Sequence, residues 1–95
     1  MDADQAETIA VSALAFLAGD VGRLGRFLAL TGIGPGELRA EARTPRVLAA
    51  VLAHLLEDES LLLVFCAHDG IKPALIAAAH AVLEATAEAQ TRGGS

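Results

Sequence analysis

Apolar positions recur along the chain at intervals of three and four residues. They nowhere alternate with polar ones over the length of a strand, so the pattern predicts helices throughout. Ile9, Ala13, Phe16 and Leu17 make one stripe of a first helix, with Asp4 and Glu7 as a capping box and Gly19 as its stop. Asp20 then caps a second helix that carries Leu24, Phe27 and Leu28 as far as Leu30, where Gly32 ends it. Pro35, at a first-turn position, opens a short third helix with Leu38. Thr44 and Pro45 form a cap followed by a first-turn proline, and Val47, Leu48, Val51, Leu52, Leu55 and Leu56 then trace the clearest amphipathic stripe. Asp58 caps a fifth helix in which Leu61, Leu62, Leu63, Val64 and Phe65 are apolar on every side, the pattern of a helix buried on most faces. Gly70 closes it, and Pro73 opens a sixth helix with Leu75, Ile76, Ala79, Val82 and Leu83, after which the polar stretch from Thr86 is expected to fray.

The expected fold class is therefore all-α, a compact bundle of about six short helices. Sliding the chain against itself by 38 residues brings Leu17 onto Leu55, Asp20 onto Asp58, Phe27 onto Phe65, Ala29 onto Ala67, Gly32 onto Gly70, Ile33 onto Ile71 and Pro35 onto Pro73. The shared F-x-A-x-x-G-I-x-P string implies two pseudo-repeats of three helices, at about 4–42 and 43–88, each burying its apolar face against the other. The expected organisation is one helical domain over residues 1–90 followed by a flexible tail at 91–95.

Composition narrows the function classes. In a chain of 95 residues, 54% apolar content excludes disorder, and the length leaves no room for a second core. The net charge of −5 provides no global attraction for nucleic acid or anionic membrane, although residues 21–56 carry +3 between ends of −4 each. A single cysteine, Cys66, rules out an internal disulfide and fits a reducing compartment. Asp2, Asp4 and Glu7 stand where a signal peptide needs basic residues, and no uncharged apolar run reaches the length of a membrane span. The expected location is cytoplasmic, with no membrane partner.

No catalytic constellation appears. Ser12 and Ser60 lack a nucleophile elbow, and Asp58 and Glu59 read as a cap and a first-turn acid rather than an acid/base pair. Cys66, His68, His54 and His80 lack zinc-ligand spacing, so no metal is expected; without a phosphate-binding or dinucleotide fingerprint, no cofactor or small-molecule substrate is expected either.

Leu30-Thr31-Gly32-Ile33-Gly34-Pro35 resembles the hairpin of the helix-hairpin-helix family of DNA-backbone binders. That resemblance implies phosphate contacts at the N–H groups around Gly32, Ile33 and Gly34, supported by Arg26, Arg39 and Arg43, with Gly70 and Lys72 in a second copy. Leu38 and Ile76 depart from the alanine of that motif, and Lys72 replaces its second glycine.

Over almost its whole length the chain also resembles a family of small all-helical bacterial proteins classed as a domain of unknown function. The resemblance rests on Ala10, Ala13, Leu14, Phe16, Leu17 and Ala18, on Arg26 to Pro35, on Leu38 to Ala40, and on Leu55, Leu56, Asp58 and Glu59. It implies a helical fold and no activity. The leading expectation is a non-enzymatic domain that binds a protein partner or a second copy of itself through apolar helix surface at Val47, Val51 and Leu55 or at Leu75 and Val82. The alternative is sequence-independent binding of duplex DNA through the two Gly-Ile-x-Pro turns.

Overall fold

The computed structural model describes residues 1–93 and contains six helices and no strand among them. They are α1 (Ala3–Ala18), α2 (Val21–Thr31), α3 (Pro35–Glu41), α4 (Pro45–Leu56), α5 (Glu59–Asp69) and α6 (Pro73–Gly93). Each boundary has a local cause. The Asp20, Thr44 and Asp58 side chains accept the N–H groups of Arg23, Val47 and Leu61, the orphan donors of α2, α4 and α5. Gly32 and Gly70 end α2 and α5 in the left-handed region at φ 75° and 67°, where an L side chain costs about 1–2 kcal/mol.

Two boundaries differ from the sequence expectation. The capping box of α1 is formed by Asp2 and Gln5, not Asp4 and Glu7, because the helix starts a half-turn earlier than the apolar stripe reveals. At the other end α6 stays helical to Gly93, past the point where fraying is expected. Its alanine-rich sequence has high intrinsic helix propensity, so the polar stretch extends the helix. Of the expected tail 91–95, Thr91 to Gly93 are thus helical, and Gly94 and Ser95 lie outside the described residues.

The core is built by α1, α4 and α6, which pack against one another along their lengths. Helix α1 contributes Ala6, Ala10, Ala13 and Leu17, all fully buried at helical spacing. Helix α4 contributes Val47, Leu48, Val51, Leu52 and Leu55, and α6 adds Ile76, Ala79 and Leu83. Alanines on α1 let the facing helices approach closely, and the larger α4 side chains fill the space this leaves. Around this trio, α2 and α5 each insert one phenylalanine, Phe27 and Phe65, both fully buried. The short α3 buries no residue.

The paired positions of the two halves share local conformation: aspartate caps, left-handed glycines, buried phenylalanines and first-turn prolines. The third helices of the halves are not equivalent, however. Helix α3 has 7 residues and lies outside the core, whereas α6 has 21 and is part of it.

The molecule measures 38 × 30 × 18 Å, and its shortest dimension leaves no room for a third layer of helices about 10–12 Å wide. Among the described residues no single helix is long and apolar enough to cross a membrane; the adjoining pairs α1–α2 and α5–α6 bend by 115° and 103°.

Replacing Ala10 with leucine should overpack the α1–α4–α6 junction. The expected loss of stability is about 1–3 kcal/mol, read as a lower urea midpoint with an unchanged slope. An unchanged midpoint would mean that the three helices are not in close contact there.

Candidate functional site

The residues proposed for phosphate contact fall on two helix connections. In the first, the Gly32 N–H donates to the Leu28 carbonyl at 2.9 Å, Ile33 N–H to the Thr31 hydroxyl at 3.3 Å, and Gly34 N–H to the Glu37 carboxylate at 3.4 Å. Glu37 therefore places its own carboxylate at the head of α3, where a phosphate would be received. In the second connection, the N–H groups of Gly70 and Ile71 both donate to the Cys66 carbonyl, and Lys72 is exposed. Ile33 is buried, as the side chain that fastens the first turn to the core.

Nor do the arginines gather around these turns. Arg43 pairs with Glu7 on α1 at 3.3 Å, and Arg46 bridges Glu37 at 2.8 Å and Glu41 at 2.6 Å, which strengthens its hold on its proton. Arg26 lines a hollow of about 400 Å³ with Glu57, Asp58 and Glu59, while Arg23 lies over the Phe16 ring at 4.6 Å. Arg39 is exposed beside Leu38 and Pro35. Apart from Arg39, the basic side chains of the middle segment are thus divided among acidic and aromatic neighbours.

The apolar surface lies only partly where expected. Val47, Val51 and Leu55 are fully buried, because the apolar stripe of α4 turns inward to make the core. Val82 is half-buried against the core, and Leu75 is 44% exposed at the edge of a shallow groove shared with Met1, Ile9 and Thr8. Instead, apolar side chains emerge on α5. Leu62, Phe65 and Cys66 face inward, whereas Ser60, Leu63, Val64 and Ala67 are exposed and recur at the spacing of a second stripe. Beside this stripe Leu30, on α2, lines the same hollow as Glu59 and Ser60. The signal was legible as a run apolar all round, but a run of that kind does not say which side stays uncovered.

Two clusters contain titratable groups. His54 is buried edge-on to Phe27 with ring centroids 5.3 Å apart, and its Nε2 is sealed from solvent without a hydrogen-bond partner. Burial holds the ring below its ordinary pKa, assisted by Arg26 and opposed by Asp58 and Glu57. On the opposite side of α5, Phe16 packs against Phe65 at 5.3 Å and His68 at 5.5 Å, and His68 Nδ1 lies 2.9 Å from Asp69 Oδ1. Burial pushes the Cys66 thiol up from its usual value, away from the thiolate that nucleophilic or metal chemistry needs. Among the described residues no cluster of three or more His, Cys, Asp or Glu side chains is arranged to hold a metal ion.

These features define a class of protein: a small all-α chain of six helices among its described residues, in which Asp20, Thr44 and Asp58 cap helices and Arg43 and Arg46 pair with carboxylates. Residues 3–86 match the family described as protein of unknown function (DUF3572), and the chain belongs to that family. No curated protein and no solved structure matches it.

His54 makes stability depend on pH in a defined direction. Well above its ordinary pKa of 6.5 the ring is neutral in both folded and unfolded chains. As pH falls through that value the unfolded chain takes up the proton first, so the folded state loses stability. Urea unfolding between pH 7.5 and 5.5 should show the midpoint falling with pH, and His54→Leu should remove most of that slope. An equal slope in the variant would assign the effect to other groups.

Proposed function

We propose that this protein is a non-enzymatic helical interaction module whose outward α5 face engages another protein chain. The observation behind this reading is the exposure of Leu63 and Val64, at 49% and 47%, next to one another on a helix whose other side is locked into the core. Covering the remainder of each side chain stabilises a complex by about 1 kcal/mol per residue, given about 1.5–3 kcal/mol for full burial. Leu30, 66% exposed beside the same end of α5, widens the apolar area, and Glu57, Glu59 and His68 give it a polar rim.

The surface belongs to a rigid element. Asp58 caps the start of α5, Gly70 closes its end, and Phe65 anchors its middle, so little ordering cost falls on binding. Duplex DNA binding has less behind it. The hairpin N–H groups of the first turn already have partners, Glu37 sits at the head of α3, and the net charge is −5. The single buried Cys66 is compatible with work in a reducing compartment, which we include in the proposal.

Incorporating a photocrosslinking phenylalanine analogue in place of Leu63 or Val64 tests the reading in the cell. Irradiation should yield a covalent protein adduct from both positions and none from the same analogue at Ala85, exposed on α6. Absence of adducts at both α5 positions would overturn the assignment of the surface.

A further inference from the structure

We propose that His54 is a proton-driven latch on α2: its neutral ring fills the core beside Phe27, and its protonated ring turns out into the hollow lined by Glu57, Asp58 and Glu59. The latch concerns how α2 is held and is independent of what engages α5. Three observations converge on it.

The first is an orphaned atom. His54 is 6% exposed, and its Nε2 is sealed from solvent with no hydrogen-bond partner. A neutral ring tolerates this by leaving one polar atom unsatisfied. An imidazolium in the same place would bury a positive charge and an Nε2–H with nothing to accept it, which is far more costly.

The second is a destination. The ring also borders the hollow of about 400 Å³ that holds Arg26 of α2, Glu57 and Asp58 between α4 and α5, and Glu59 and Ser60 of α5. Three carboxylates thus face His54 against one guanidinium, and Glu57 and Glu59 are exposed to water. His54 stands in the last turn of α4, where the helix dipole also favours a cation. Rotation about its own side-chain bonds exchanges a sealed site for one that gives the imidazolium both solvent and counter-charge.

The third is what the ring leaves behind. Phe27 is the one fully buried residue of α2, with Leu24 and Leu28 only partly buried, and its ring centroid lies 5.3 Å from that of His54. Withdrawing His54 opens space beside the side chain that anchors α2, while Ala6, Ala10, Ala13, Leu52 and Ile76 still hold the α1–α4–α6 junction. Protonation therefore loosens α2 before it unfolds the chain.

Nuclear magnetic resonance of the full chain between pH 7.5 and 5.5 tests the latch. A through-space contact between the His54 and Phe27 rings should be present at the upper pH and disappear as the His54 ring titrates. Over the same range the exchange protection of α2 amides should fall by at least about fivefold relative to those of α1 and α4. His54→Leu should keep α2 protected throughout. Glu57→Gln combined with Glu59→Gln, both at exposed positions, should shift the His54 midpoint to lower pH. A ring that takes up its proton with the Phe27 contact intact, or that stays neutral until the whole chain unfolds, overturns the proposal. So does an equal loss of α2 protection in His54→Leu. A midpoint unmoved by the two glutamines removes the hollow as the destination and overturns it as well.

Discussion

Three helices can run together along their lengths only where the side chains between them are small, and Ala6, Ala10, Ala13, Ala49 and Ala79 supply that condition here. Their close approach fixes α1, α4 and α6 as one unit. The long aliphatic side chains of α4 then have nowhere to go but into it. Everything else is arranged around this junction. Because it already consumes the apolar faces of three helices, α2 and α5 can add only one phenylalanine each and a few flanking residues. A helix docked in this way satisfies the core with one side and has its other side in water. That is why the apolar excess of the composition reappears at Leu63 and Val64 instead of vanishing into the interior.

The same economy of space accounts for His54. It occupies a buried position on the inward side of α4, against Phe27, where an aliphatic residue would avoid the cost of an unpartnered nitrogen. Its neighbours Glu57 and Asp58 favour the charged ring while burial and Arg26 disfavour it, and burial prevails. A position of this kind ties the stability of the α2–α4 contact to the proton activity around it.

Much of the architecture was legible from the chain because its punctuation is chemical. An aspartate or threonine accepting an orphan N–H, a first-turn proline and a left-handed glycine each impose a boundary through local forces, so α2 to α5 begin and end close to where the sequence places them. The start of α1 was ambiguous because Asp2 with Gln5 and Asp4 with Glu7 satisfy the same capping rule, and only the packing of Ala6 chooses between them. Tertiary assignments were less accessible. The stripe of Val47, Val51 and Leu55 is amphipathic, and periodicity reveals that a face exists without saying whether a partner or the core covers it. The 38-residue offset in the sequence has the same limitation. It matches caps and turns, but α3 and α6, of 7 and 21 residues, are not equivalent, and two repeated three-helix halves do not follow from it.

The arginines make the corresponding point for charge. A segment with an excess of three positive charges has the composition of a phosphate-binding surface, but what a ligand meets is the local field after neighbours are counted. Arg43 and Arg46 reach carboxylates on α1 and α3, pairs that as solvent-exposed bridges contribute little to stability. Their larger consequence is to quench the field that the composition implies, while Arg23 is spread over Phe16 and Arg26 faces an acidic cluster. Glu57 and Glu59 share a hollow with Arg26, and exposed Lys72 lies in the connection between α5 and α6. Uncovered apolar side chains are likewise spread over several elements, at Val21 and Leu30 on α2, Leu63 and Val64 on α5 and Leu75 on α6. The adjacency of Leu63 and Val64 on one docked helix, with Leu30 near its start, is what the proposed contact surface rests on.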